Sequence, residues 1–107
     1  MANIMLQYDR PTDTRNWTEY NGRVRDWIAR LVQTPGAVSF IAYRTADGAS
    51  PNTLAVLDFR TLDEAKKAVA SDHLKAVLQE LRATGTDPKV LIVERSPFTP
   101  EPIRPSA

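Results

Sequence analysis

The sequence contains no cysteine. That excludes disulfides, thiolate nucleophiles, iron–sulfur clusters and cysteine zinc sites together, and it fits a reducing cytoplasm. There is one histidine, His73, and the carboxylates are scattered, so no metal-ligand spacing is present. The four glycines, Gly22, Gly36, Gly48 and Gly85, stand apart, which leaves no glycine-rich loop for a phosphate or a dinucleotide. No stretch approaches the ~20 apolar residues of a membrane span. The N-terminal run Met1–Tyr8 lacks the basic segment and long apolar core of a signal peptide. Charge of one sign is missing too: 14 basic and 13 acidic residues leave a net +1, no basis for binding nucleic acid or an anionic membrane. These absences predict a cytoplasmic protein without metal or cofactor.

What is present is a globular composition, 42% hydrophobic and 25% charged over 107 residues. That length suits one domain with a modest core, and a second copy would help bury apolar surface. Residues 3–8 alternate, with Ile4, Leu6 and Tyr8 opposite Asn3, Met5 and Gln7, the pattern of a half-buried strand. Pro11 ends it, and Asp13 or Thr14 can cap the next helix. From Arg15 to Val32, the residues Trp17, Tyr20, Val24, Trp27, Ile28 and Leu31 fall on one helical face. Glu19, Arg23, Asp26 and Arg30 fall on the other. Thr34-Pro35-Gly36 stops this helix.

Ala37–Arg44 is β-branched and aromatic and reads as a second strand, with Val38, Phe40 and Ala42 opposite Ser39, Ile41 and Tyr43. An Asp47-Gly48 turn leads to a third strand, Thr53–Phe59, apolar on both faces. Thr61-Leu62-Asp63-Glu64 is a capping box. The helix it opens is interrupted at Ser71-Asp72 and resumes with Leu74, Val77, Leu78 and Leu81 inward. Lys89–Glu94 is the fourth strand. The tail, residues 96–107, holds Pro97, Pro100, Pro102 and Pro105 and reads as an extended arm, loose or laid across a neighbour.

The order is β-α-β-β-α-β over residues 1–95, an α+β, ferredoxin-like arrangement: a four-stranded antiparallel sheet with both helices on one face. The other sheet face is too apolar to stay bare, which predicts a symmetric homodimer that packs sheet on sheet. RNA-recognition modules share this strand order but need exposed aromatics on the third strand. Here that strand reads Thr53-Leu54-Ala55-Val56-Leu57-Asp58-Phe59, which excludes that use.

Pro35-Gly36-Ala37-Val38-Ser39-Phe40, Asp58-Phe59-Arg60, Thr61-Leu62-Asp63-Glu64-Ala65 and the Ser-x-His-x-x-Ala run at Ser71, His73 and Ala76 together resemble the antibiotic biosynthesis monooxygenase-like family of the dimeric α/β-barrel superfamily. The resemblance covers roughly residues 3–95. It implies a homodimeric barrel with a pocket in each subunit between sheet and helices. It also implies cofactor-independent oxidation of a quinol-type small molecule, an oxidoreductase activity. The haem-degrading branch is similar in using a strand Asn, a Trp and a later His. Asn3 or Gln7 is the nearest match to the first, but Ala68 and Leu78 stand at the other two positions, so that branch is disfavoured.

His73 is the candidate catalytic base, since histidine titrates near neutral pH. Its alternative is a structural bond to a backbone carbonyl or to a partner. Trp17, Tyr20 and Trp27 are candidates to line an aromatic ligand pocket, or else they are core. Tyr43 and Phe40 lie on opposite faces of the second strand, and either could meet such a ligand. Asn3, Gln7 and Ser39 could orient a ligand oxygen if they face the pocket, a matter of strand register that the sequence leaves open. Asp58 and Glu94 read as salt-bridge residues. Two functions are expected as alternatives: an oxygenase without cofactor that uses His73 on an aromatic substrate, or a non-catalytic dimeric protein that holds a small ligand.

Overall fold

A computed structural model describes residues 1–106. It contains β1 (Ala2–Tyr8), α1 (Thr14–Val32), β2 (Ala37–Arg44), β3 (Thr53–Phe59), α2 (Leu62–Ala70), α3 (Asp72–Ala83) and β4 (Lys89–Glu94). The strands form one antiparallel sheet in the order β2-β3-β1-β4. The chain therefore has the expected ferredoxin-like α+β fold, with the second helix divided in two. Among the described residues no helix is long and apolar enough to cross a membrane.

Local chemistry sets the boundaries. Asp13 caps α1, its side chain accepting from the amides of Arg15 and Asn16. Gly36, at φ +88°, turns the chain into β2 in a conformation that favours glycine. Thr61 caps α2 through the Glu64 amide. The expected return bond from the Glu64 carboxylate is not formed, and that side chain lies instead close to Gly36. At the break, Ser71 ends α2 and begins α3, its hydroxyl oxygen accepting from the Leu74 amide at 3.2 Å.

The period-two pattern sorts the sheet into two unlike faces. Ala2, Ile4, Leu6 and Tyr8 of β1 and Thr53, Ala55, Leu57 and Phe59 of β3 are buried under the helices. Tyr20, Trp27 and Leu31 of α1 meet them, as do Ala65 and Ala68 of α2 and Leu74, Val77, Leu78 and Leu81 of α3. The opposite face carries cross-strand rows fixed by register, one of them Ile41, Val56, Met5 and Leu91. Among the described residues nothing covers this face, and Ile41 and Tyr43 are half exposed.

Two loops at the open end of β1 and β3 are tied together. The Asp9 carboxylate accepts from the Ser50 hydroxyl and the Asn52 amide, and Asn52 Oδ1 accepts from the Arg10 amide at 3.0 Å. Nearby, a Cβ on Gly85 (φ +87°) would meet Asn16 Nδ2 at 2.8 Å, so the end of α3 packs directly on the start of α1. The described tail residues, 96–106, form no helix or strand. Arg95 pins their start, pairing with Glu101 and donating to the Pro100 carbonyl at 2.7 Å. The last residue of the expected arm, Ala107, lies outside the described residues.

Candidate ligand-binding site

Between α1 and the β2–β3 side of the sheet lies a cavity of about 370 Å³. The volume is ordinary for a small-molecule site. The amphipathic stripe of α1 forms one wall, with Trp17, Tyr20, Val24, Trp27, Ile28 and Leu31 all in the lining. Phe40 and Ala42 of β2, Ala55 of β3 and Leu6 of β1 form the facing wall. Helical spacing and strand alternation thus bring both sets to one space.

The aromatic residues pack on one another in sequence. Trp17 stacks on Tyr20 at 6.0 Å between centroids, Tyr20 meets Tyr8 edge-on at 6.2 Å, and Tyr20 tilts against Trp27 at 5.5 Å. Tyr20 and Trp27 are buried, whereas Trp17 is 38% exposed at the mouth. The expected pocket role of all three is compatible with their place in the lining, and Tyr20 and Trp27 are core residues as well.

The polar feature of the interior is a buried hydroxyl pair, Tyr8 Oη to Tyr20 Oη at 2.8 Å. Burial first, then the Tyr20 hydroxyl, push the Tyr8 phenol well above its ordinary range, while the nearby Arg10 charge acts in the opposite direction. Tyr8 is therefore a neutral hydrogen-bonding group at physiological pH and not a phenolate base. Trp27 Nε1 is buried without a hydrogen bond of ordinary geometry. It lies near enough to Glu80 to help lower that carboxylate, although the main cause there is the bond from Arg30. The Arg23 guanidinium sits over the Trp27 ring, 5.7 Å from its centroid, and pairs with Glu80. Arg30 joins the same carboxylate and Asp26, so a charged network seals the outer side of α1 against α3.

Several expected site residues lie elsewhere. His73 is not part of the cavity wall. It stands in the first turn of α3, and its Nε2 lies 2.6 Å from the Arg30 carbonyl oxygen. A carbonyl can only accept, so Nε2 carries the proton, and the ring ties α3 to the end of α1. The expectation of a base beside the ligand meets a ring outside the cavity wall, bonded as the backbone-carbonyl alternative describes. Asn3 is likewise outside the cavity. Its alternation with Ile4 puts it on the uncovered sheet face, where its amide donates to Asp58. Asp58 also accepts from Ser39 at 2.7 Å, so it serves two neutral donors and not the expected salt bridge. Gln7 shares that face. Glu94 forms no ion pair among the described residues. Tyr43 borders the cavity, yet its pairing with Leu54 assigns it to the uncovered face, so it contributes from the strand edge.

Tyr8, Arg10, Asn21, Arg44 and Thr53 line the cavity without having been singled out from the sequence. The signal was the strand alternation carried to the strand ends. Tyr8 continues Ile4 and Leu6, Arg10 lies two residues further on, and Arg44 continues Phe40 and Ala42. No group of histidine and carboxylate side chains suited to a metal ion occurs among the described residues.

The sequence matches no protein-family model and, at a significant level, no curated protein. Solved structures do match. An ethyl tert-butyl ether d (ethd) family protein from Bacillus halodurans aligns with a TM-score of 0.68 at 16% identity, over 90% of this chain and 99% of its own. SnoaB, a cofactor-independent oxygenase from Streptomyces nogalater, aligns at 0.65 and 16% identity, over 94% and 97%. A structure described as an antibiotic biosynthesis monooxygenase aligns at 0.65 and 12% identity, over 91% and 100%. Identities this low speak for fold alone. Its architecture, as the resemblance in the sequence implied, is that of the antibiotic biosynthesis monooxygenase structures, along nearly the whole chain.

Proposed function

We propose that this protein binds a small aromatic molecule in the cavity under α1, and that it is a monooxygenase-like protein working without a cofactor. The observation that carries the reading is the aromatic-lined cavity of about 370 Å³ with a neutral tyrosine hydroxyl pair inside it. Flat apolar walls suit a fused-ring ligand, and the Tyr8–Tyr20 pair can hold its oxygen. The fold shared with a cofactor-independent oxygenase supports the reaction class.

In that chemistry an electron-rich substrate that binds already ionised, its proton having gone to bulk solvent, gives an electron to dioxygen, and a solvent proton later completes the hydroperoxide. The resulting pair combines at carbon as a hydroperoxide. Loss of water then leaves a carbonyl, with one oxygen atom in product and the other in water. The protein's part is orientation and a dry pocket. The test is oxygen uptake with a dihydroxynaphthalene or an anthrone, followed aerobically and anaerobically. Oxygen-dependent turnover supports the reaction, and ligand binding without turnover removes it.

A second reading has its own observation. The lining contains no histidine, lysine or carboxylate, so no ordinary base faces the ligand. On this reading the protein holds its ligand without converting it. Under either reading we propose a homodimer joined through the uncovered sheet face. The half-exposed Ile41, the row Ile41–Val56–Met5–Leu91 and the absence of any covering element among the described residues support it. Sedimentation velocity of Ile41→Glu is expected to show a monomer where the parent chain is a dimer.

A further inference from the structure

We infer that the cavity is selective for aromatic ligands that carry an ionised acidic group, which Arg10 and Arg44 hold at one end. This rests on the aromatic-binding reading above and adds the charge of the ligand to it. The lining includes two guanidinium side chains and no carboxylate. All ion pairs among the described residues use Arg23, Arg30 or Arg95, and none uses Arg10 or Arg44. Asp9, the acid next in sequence, is occupied with Ser50 and Asn52.

The two arginines belong to the same end of the same face. Arg44 pairs with Thr53, and Thr53 pairs with Tyr8, so the three form one row across the helix-covered face. Arg10 comes two residues after Tyr8, and its backbone is fixed by the 3.0 Å bond from its amide to Asn52. Burial is the main reason the Tyr8 phenol is pushed up, and the nearby Arg10 charge acts against it. The lining also holds the apolar side chains of Val24, Ile28, Leu31 and Phe40, with Asn21 and Trp27 beside them on α1. The cavity therefore has a cationic end and an apolar body. A guanidinium fork matches a carboxylate with two parallel bonds. A planar ring system with a carboxylate at one edge fits both parts at once.

Both tryptophans of the chain, Trp17 and Trp27, line the cavity, so their fluorescence reports occupancy directly. The experiment titrates the protein with 2-naphthoate and with 2-naphthamide, which share rings and differ in charge. It is repeated on Arg10→Gln, Arg44→Gln and the double variant. The expected result is 2-naphthoate binding about ten-fold or more tighter than 2-naphthamide, as loss of a charged hydrogen bond would give. That preference should disappear in the double variant, whose circular dichroism and urea midpoint should match those of the parent chain and so show that it is folded. Equal affinity for the two probes in the parent chain overturns the inference and leaves the aromatic cavity standing. A preference that persists in the double variant overturns the assignment to these arginines. Failure of both probes to bind the parent chain removes the aromatic-binding reading, and this inference with it.

Discussion

The two β-α-β halves of this chain treat the sheet differently. In the second half, α2 and α3 bury Ala65, Ala68, Leu74, Val77, Leu78 and Leu81, and the alanines let α2 seat close. In the first half, the 19 residues of α1 bury only Tyr20, Trp27 and Leu31. These three residues line the cavity that lies between α1 and the β2–β3 side of the sheet. One topology thus yields a packed half and a hollow half.

The most damaging change should fall in the packed half. Leu74 is fully buried, so Leu74→Ala is expected to cost about 2–5 kcal/mol in urea unfolding. Ile28→Ala, at a residue 37% exposed in the cavity wall, should cost far less. Equal losses would break the contrast between the halves. Next in size is the same enlargement made on both sides. Ala68→Leu should cost about 1–3 kcal/mol by overpacking. Ala42→Leu points into the cavity, and should leave the urea midpoint nearly unchanged while it weakens ligand-induced quenching of Trp17 and Trp27.

A third change concerns the hydroxyl pair. Tyr8→Phe leaves Tyr20 without its partner and should cost about 1–3 kcal/mol. Because the fold raises the Tyr8 pKa, the folded chain keeps this proton while the unfolded chain loses it near the ordinary value of 10.0. Stability is therefore full below that pH and falls above it, and Tyr8→Phe should flatten the alkaline loss seen in thermal melts.

Smaller still is the surface network. Arg30 holds the Glu80 carboxylate below its ordinary value, so its stabilising contribution is present above that value and lost as pH falls through the lowered one. Glu80→Gln should remove that acid sensitivity with only a slight drop in midpoint at neutral pH, since the groups are partly solvated. Last, His73→Ala should leave cavity binding unchanged, because the ring bonds to the Arg30 carbonyl outside the cavity. Loss of ligand quenching in that variant, with stability intact, would return His73 to the site.

Much of this was legible in the sequence. Alternation in β1 and β3 and the stripe on α1 gave the strands, the buried faces and the aromatic wall. Ser71-Asp72 marked the break between helices because serine is a good cap. The site was less legible for reasons visible in particular residues. Asn3 alternates with Ile4 and so could not share its face, but which face held the cavity depends on the sheet order. His73 precedes the inward Leu74 by one position, about 100° around a helix, and so points away from the sheet. Arg10 lies past the last paired residue of its strand, where periodicity carries no weight until the loop bonds are known. Arg44 closes its strand on an exposed edge, where an arginine looks like ordinary surface.

The break at Ser71 has a consequence for phase. From Ala65 to Leu74 is nine positions, which in one unbroken helix is roughly 900°, or half a turn out of step. The same holds from Ala68 to Val77. An uninterrupted rod would therefore aim the alanines at the sheet and the leucines at solvent, or the reverse. The extended backbone at Ser71, φ −73° and ψ 146°, acts as a clutch that lets the second segment restart its rotation. A short sequence with two mismatched apolar stripes can then present both to one surface. The joint needs no glycine, only a hydroxyl that serves as the new starting cap.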